Sequence, residues 1–293
     1  MMTARQSLAV ACFVIVALAG CTRKPNIPFA EYGDAYASKP DFADVEHRYP
    51  LTPEDLDKLT PSNLAKLTQE ELDQVYARLT AGPVPDGPYE GSFFFADGGG
   101  AKRLAEVFGG VEGLAVRYKL EKLEAIGQAL WKGKVFYRDE RLLRNMIRDR
   151  RYLEPIIDDL DSIPEVEING KNTRLLFPAR LYCGQSLLDG RRESIVIDYA
   201  FSDEIDGYRE KPDFLAGRRG LKVRDEIRMI RPGFYLGRAY LGRVFLLNFT
   251  LHSQDIADAE GNAGDQAGQT QQDCWPGTQR PDDRPLTAAR EPA

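Results

Sequence analysis

The chain has 293 residues, 43% hydrophobic and 29% charged, and this composition is that of a folded protein and not of a disordered one. Its net charge of −6 argues against nucleic acid as a partner, because no surplus of Lys and Arg remains to neutralise phosphates. Two basic stretches, 141–151 and 218–222, are mixed with acids or short, and we interpret both as solvated edges.

An apolar run over residues 8–21 follows Arg5 at the start of the chain. The run is too short to cross a bilayer as a helix and is typical of an export signal. Its last four residues, Leu-Ala-Gly-Cys at 18–21, resemble the lipobox of bacterial lipoproteins. The resemblance implies that residues 1–20 are a cleaved signal peptide and that Cys21 carries fatty acyl chains such as palmitate. Because Thr22 and not Asp follows, similarity to sorted lipoproteins implies the periplasmic face of the outer membrane.

Residues 21–50 contain scattered prolines and polar residues, which predicts an extended tether. Within 51–82 an eight-residue pattern is repeated, and each copy has a threonine where a helix N-cap is expected: Thr52, Thr60 and Thr68. The repeat predicts two one-turn helices and a longer one over 69–79. Leucines at this spacing favour burial against the body or one another over binding to a partner.

Residues 83–253 change to short runs rich in Phe, Tyr, Val and Ile, separated by Gly and Asp turn signals. Helical spacing over 111–130 predicts one helix among them. Strands are predicted at 89–95, 135–137, 175–182, 194–199, 223–230, 234–241 and 244–251. Antiparallel strands without strand–helix alternation predict a mainly β (α+β) domain, a small antiparallel β-barrel or coiled sheet with one helix, preceded by short helices.

Short motifs in this domain lie at 87–91 (GPYEG), 130–136 (LWKGKVF), 198–199 (DY) and 224–228 (RDEIR), the last followed by YLG at 235–237. Together they resemble the pattern of the GXWXG-type proteins of unknown function, with Tyr89 in place of that family's first Trp. The resemblance implies a calycin-like small barrel, broadly similar to lipocalins, and brings no established activity.

Strand alternation over 130–137 places Trp131 on one face and Lys134 with Phe136 on the other. Gly133 allows a close approach of another part of the chain. Lys134 has two interpretations, a structural ion pair with a carboxylate or a contact to the anionic head group of a ligand.

The same alternation over 224–231 separates Asp225 from Glu226 and Arg228. Asp225 is at risk of burial, and a buried carboxylate must find a cation or hydrogen-bond donors or take up a proton. It is a candidate for a structural ion pair, which we favour, or for a functional acid, with Glu226 as the weaker catalytic candidate.

The run at 244–251 has one apolar face and one partly polar face. If the polar face lines an interior, Asn248 and Tyr240 orient a ligand in a mostly apolar cavity; if it faces solvent, they have no such role. The candidate ligand-binding residues are therefore Trp131, Lys134, Phe136, Arg228, Tyr235, Tyr240 and Asn248.

Cys12 and Cys21 belong to the signal and the anchor, which leaves Cys183 and Cys274. An oxidising compartment permits a disulfide between them, and two unpaired thiols are the alternative. Residues 254–293 are rich in Asp, Gly, Gln, Ala and Pro, which predicts a disordered tail unless Cys274 tethers it. The chain has no Cys or His at ligand spacing, so neither a metal site nor a cofactor is expected.

Three functions follow as hypotheses. The first is a membrane-anchored lipoprotein whose barrel binds a small apolar or amphiphilic ligand or serves envelope maintenance. The second is an enzyme that uses Asp225 or Glu226 as acid or base on a bound substrate. The third is a scaffolding lipoprotein without a ligand, and the presence of a cavity separates it from the other two.

Overall fold

A computed structural model describes residues 24–32, 40–96, 130–149, 151, 153–154, 157, 159–262 and 271–277. The predicted signal peptide and Cys21 lie outside the described residues, as does the predicted helix over 111–130 apart from Leu130. The described chain is mainly β, as the sequence predicts.

Nine strands form one antiparallel sheet: β1 (Gly87–Phe94), β2 (Trp131–Tyr137), β3 (Leu142–Ile147), β4 (Glu165–Ile168), β5 (Lys171–Gln185), β6 (Glu193–Asp198), β7 (Val223–Arg231), β8 (Phe234–Leu241) and β9 (Val244–His252). Their order is β3-β2-β1-β9-β8-β7-β6-β5-β4. Because β3 also pairs with β5, eight strands close into a barrel, and β4 extends the sheet from the start of β5. The predicted small antiparallel barrel is therefore confirmed.

Every strand predicted from the sequence is present, and β3 and β4 are additional. The stretch at 141–151 was expected to be a solvated edge, but it contains β3, which completes the barrel. Its arginines obscure the apolar positions Leu143, Met146 and Ile147, all of which are buried.

Four short helices cover the outer face of the barrel beside β7 and β8: α1 (Phe42–Arg48), α2 (Pro53–Lys58), α3 (Pro61–Leu64) and α4 (Gln69–Arg78). The side chains of Thr52, Thr60 and Thr68 cap α2, α3 and α4, which confirms the predicted N-caps. The repeated leucines are buried among themselves and against Ile230, Phe234 and Leu236 of the barrel wall. These leucines are therefore buried within the body, which is the interpretation that the sequence favoured.

Part of the expected tether is packed against α4. Ile27 is buried in the same apolar cluster as the leucines, and the Gln74 side chain bonds both backbone groups of Ala30 at 2.9 Å. Lys24 Nζ lies 3.0 Å from a carboxylate oxygen of Glu71. An extended linker is thus excluded for residues 24–32, because apolar burial and hydrogen bonds fix them on the body.

The chain after β9 also differs from the expected disordered tail. Residues Gln254–Asn262 form a helix, which we number α6 after the short α5 (Glu210–Asp213). Cys183 and Cys274 form a disulfide with an S–S distance of 2.10 Å. Next to it, Asp273 accepts a hydrogen bond from the backbone N–H of Val84 at 2.8 Å. Residues 271–277 are therefore fixed on the barrel. This is the exception to a disordered tail that the sequence allowed for a bonded Cys274.

Candidate functional site: a cavity inside the barrel

A cavity of about 360 Å³ lies inside the barrel. Its walls are mainly apolar, and the volume falls in the range of sites for small molecules. Leu221 both lines the cavity and is 47% exposed, so the cavity opens to solvent beside the loop between α5 and β7. The aromatic wall consists of Phe93, Trp131, Phe177, Tyr199 and Phe249.

A bulge in β2 brings Trp131 and Lys134 into the same cavity. Trp131 pairs with Ile147 and Lys134 with Asn145, so β2 contains one more residue than β3 between the two pairs. Simple alternation placed these two side chains on opposite faces, and that prediction was wrong because the extra residue reverses the facing.

Gly133 lies within this bulge at φ 129°. A Cβ atom there would lie 2.0 Å from the carbonyl oxygen of Tyr89 and 2.7 Å from the amide nitrogen of Gly91. The close approach expected at Gly133 is therefore made by the backbone of β1, and only glycine fits it.

Lys134 and Asp225 form an ion pair where the cavity ends. Lys134 Nζ lies 3.0 Å from Asp225 Oδ2, and the two side chains are 3% and 7% exposed. The ammonium also lies over the rings of Trp131, Tyr199 and Phe249, 5.4 to 5.6 Å from their centroids. The ion-pair interpretation of both residues thus holds in the structure, and each still lines the cavity.

Two further polar residues complete the cluster. Lys134 Nζ donates to Asn145 Oδ1 at 2.9 Å and to the Tyr199 hydroxyl at 2.7 Å. Asn145 Nδ2 donates to that hydroxyl at 3.0 Å, and the indole N–H of Trp131 donates to Asn145 Oδ1 at 2.9 Å. We call Trp131, Lys134, Asn145, Tyr199 and Asp225 the polar floor.

Asn145 also supports an irregular point of the wall. Phe177 has φ 51°, an uncommon conformation for a side chain of this size. Its carbonyl accepts from Asn145 Nδ2 at 2.9 Å, and its N–H donates to Asp213 Oδ1 at 2.7 Å. These two side chains replace the ladder hydrogen bonds that a bulge in β5 removes.

The charge state of the polar floor follows from its contacts. Burial opposes the charge of Lys134, but Tyr199 and Asp225 outweigh it and raise the pKa of Lys134. Burial also raises the pKa of Tyr199, against the neighbouring Lys134. At neutral pH the lysine is therefore charged and the tyrosine is protonated, so neither acts as a base.

The sequence did not predict Asn145 or Tyr199 as site residues. Tyr199 lies in the DY motif at 198–199, which was a usable signal. Asn145 is the one uncharged polar residue in β3. Because β3 was not predicted as a strand, Asn145 could not be assigned to a face of the barrel wall.

Six other candidates lie elsewhere. Phe136 and Tyr235 face inward but belong to the packed part of the core, where both are 1% exposed. Glu226, Arg228, Tyr240 and Asn248 are on the outer face of the barrel, buried under the helices. As predicted, Glu226 is on the face opposite Asp225, and it accepts from Leu187 N and Arg224.

Each of the other outer-face candidates has a partner outside the cavity. The Arg228 guanidinium bonds the Tyr76 carbonyl at 3.0 Å, and burial lowers its pKa. Asn248 Nδ2 donates to Gln69 at 2.9 Å, and the Tyr240 hydroxyl accepts from Arg238 Nε at 2.9 Å. Tyr240 and Asn248 were expected to line an interior or face solvent, and Arg228 to bind a ligand; instead the leucine-rich helices cover all three.

The comparisons with known proteins add little. No protein-family profile matches the chain, and no curated protein matches it. A solved structure, a protein from Thermomonospora curvata, is similar at 18% identity and a TM-score of 0.32, over 64% of this chain and 89% of that one. A likeness this weak carries no functional argument.

Two observations concern membranes and metals. Within the described ranges, the helices are all too short or too polar to cross a bilayer. The metal-ligating side chains that converge there are those of Cys183, Glu193 and Cys274, and both sulfur atoms are already in the disulfide.

Proposed function

We propose that this protein binds a small apolar or amphiphilic molecule inside its barrel while a lipid anchor at Cys21 holds it at a membrane of the cell envelope. The observation that carries the binding proposal is the cavity of about 360 Å³, whose described lining is apolar except for the polar floor. Ligand sites are commonly built in this way, because apolar walls supply affinity and a few polar groups fix orientation.

The lipobox-like sequence at 18–21 supports the anchor. Two or more acyl chains on Cys21 would make the attachment stable. Lys24 is three residues further along and is already fixed to α4, and an extended chain spans at most about 3.5 Å per residue. The body would therefore lie directly on the bilayer, where apolar ligands collect. Thr22 favours the periplasmic face of the outer membrane.

The motifs that resemble those of the GXWXG-type proteins support a barrel of the kind that the resemblance implies. Gly91 and Gly133 lie against Trp131 and Tyr89, and the DY motif supplies Tyr199 to the polar floor. Trp131, Tyr199 and Asp225, which come from three of the motifs, therefore line one cavity although the chain separates them widely.

The enzyme alternative is weakened by the contacts of its two carboxylates. Asp225 lines the cavity but is paired with Lys134, and Glu226 lies on the other face of the same strand, away from the cavity lining. The scaffolding alternative needs no cavity. An envelope-maintenance role is compatible with ligand binding and is not a separate prediction.

The binding proposal is tested with the chain from residue 21 onwards carrying Cys21→Ser, titrated with the apolar fluorophore N-phenyl-1-naphthylamine. We expect saturable fluorescence enhancement that is lost in Ala239→Phe and in Leu247→Trp, since both residues line the cavity. Ala43→Phe, at an exposed position of α1, is the matched control and should bind normally. Binding that survives both cavity-filling changes, with folding verified by circular dichroism, would refute the proposal.

The anchor is tested separately in the full chain. Cys21→Ala should move the protein from the membrane fraction to the soluble fraction, and mass spectrometry of the unaltered protein should find an acylated N-terminal Cys21. An unacylated, freely soluble native protein would contradict the anchor and leave the binding proposal standing.

A further inference from the structure

The polar floor has no hydrogen-bond donor left for a ligand. The three protons of Lys134 Nζ go to Asn145, Tyr199 and Asp225. Both amide protons of Asn145 go to Phe177 O and the Tyr199 hydroxyl, and the Trp131 N–H goes to Asn145. The Tyr199 hydroxyl accepts from Lys134 and Asn145, and it donates its own proton to Asp225 Oδ2 at 3.4 Å. Every donor is thus used within the floor.

One acceptor in the floor is not used. Asp225 Oδ2 accepts from both Lys134 and Tyr199, but no donor among the described residues reaches Oδ1. The Asp225 side chain is 7% exposed and lines the cavity, so this oxygen is reached through the cavity. A carboxylate oxygen left without donors in an apolar setting is costly, and a ligand that brings a donor removes that cost.

The net charge of the floor restricts the ligand further. Lys134 and Asp225 neutralise each other, so an anionic head group would lie beside a carboxylate and meet no free donor. A cationic head group would add a second positive charge close to Lys134. Both arrangements are unfavourable in a buried site.

We infer that the cavity takes a neutral apolar molecule with a hydroxyl group at one end, that is, an apolar alcohol whose O–H donates to Asp225 Oδ1. This inference rests on the proposed ligand-binding function and names the chemical class of its ligand. It separates this barrel from a site for a carboxylate ligand, whose strong partners are charge-assisted donors.

The test is a competition series on the chain from residue 21 onwards with Cys21→Ser, which keeps the cavity unaltered. Decan-1-ol, decyl methyl ether and decanoate displace N-phenyl-1-naphthylamine at neutral pH. All three have an unbranched ten-carbon chain, and their polar ends offer a donor, no donor or a negative charge. We expect decan-1-ol to bind at least about tenfold more tightly than the other two, the change that one hydrogen bond to a charged acceptor produces.

The variant Asp225→Asn tests the role of the unpaired oxygen by replacing this hydrogen-bond acceptor with a donor. Asp225→Asn keeps the shape, and its carbonyl accepts from Lys134 while its N–H₂ replaces Oδ1, so the preference should shift from the alcohol towards the ether. Tyr199→Phe leaves Oδ1 in place and should retain the preference for the alcohol. If Asp225→Asn does not fold, the ligand series on the unaltered chain decides alone.

The outcomes separate the two proposals. Equal displacement by all three compounds, or tighter binding of decanoate, would overturn the inference and leave the ligand-binding proposal intact. Failure of the fluorophore and of all three compounds to bind would remove both.

Discussion

Lys134 and Asp225 are 91 residues apart in the chain, and their charged atoms are 3.0 Å apart at the closed end of the barrel cavity. They join β2 to β7, strands that are not neighbours in the sheet. The pair therefore ties two opposite walls together across the interior, and it also sets the charge that a bound molecule meets.

Removing one member of this pair should destabilise the protein strongly. Lys134→Met leaves the Asp225 carboxylate buried without its cation, which costs about 3–5 kcal/mol. The double variant Lys134→Met/Asp225→Leu should recover most of that loss because no charge remains buried. Urea unfolding of the wild type and of both variants measures these free energies. Losses that simply add in the double variant would show that the pair is not coupled.

Gly133→Ala should disrupt the bulge that places Trp131 beside Lys134. The new Cβ would lie 2.0 Å from the Tyr89 carbonyl oxygen, which belongs to a backbone that cannot yield. We expect a loss of more than about 2 kcal/mol in unfolding free energy, from overpacking and backbone strain together. Gly190→Ala is the matched control, since nothing lies within 4 Å of its Cβ position. Equal stability of the two variants would contradict this account of the bulge.

Replacing both cysteines of the disulfide by serine should lower stability by about 2–4 kcal/mol, since Cys183 and Cys274 close a loop with a sequence separation of 91. Thermal unfolding with and without dithiothreitol provides the measurement. The reductant should lower the melting temperature of the wild type and leave that of Cys183→Ser/Cys274→Ser unchanged. A wild type insensitive to reductant under unfolding conditions would argue against a stabilising bond.

The stability of the outer face should depend on acid through Asp189. Burial opposes its charge, but the hydrogen bonds and the charge of Arg191 outweigh this and lower the pKa of Asp189 below its usual 3.8. A carboxyl with a depressed folded pKa contributes stability above its unfolded pKa and loses it as the pH falls through the folded value. The advantage of the wild type over Asp189→Asn should therefore be full above about pH 4 and shrink below it.

Urea unfolding at a series of pH values tests this dependence. Asp44→Asn is the control, since Asp44 is half exposed in its pair with Arg48 and exposed pairs contribute little to stability. A constant difference between wild type and Asp189→Asn down to pH 2 would contradict the prediction.

Local features of this fold could be predicted from the sequence. The N-caps Thr52, Thr60 and Thr68 are determined by residues within one turn, and the alternation in β7 depends only on the strand itself. For the same reason Asp225 and Glu226 were correctly assigned to opposite faces.

Features that depend on distant parts of the chain could not be predicted. The face of the barrel wall on which Trp131 and Lys134 lie depends on a bulge between β2 and β3. The sequence does not predict β3, because its apolar positions lie among arginines. Arg228 and Asn248 were assigned to a ligand because nothing in β7 or β9 indicates that α4 covers their outer face. The cation partner of Asp225 is on β2, and no local pattern connects the two.

The pairing of β1 with β9 has a consequence for how the barrel forms. Glu90 to Phe94 come early in the barrel sequence, yet one edge of that strand stays open until Asn248 to His252 are available to pair with it. A chain that emerges N-terminus first therefore cannot complete the ring until its final strand arrives, and closure is a late, long-range step. Cys274 lies beyond that strand, so its bond to Cys183 joins the segment after the last strand to β5.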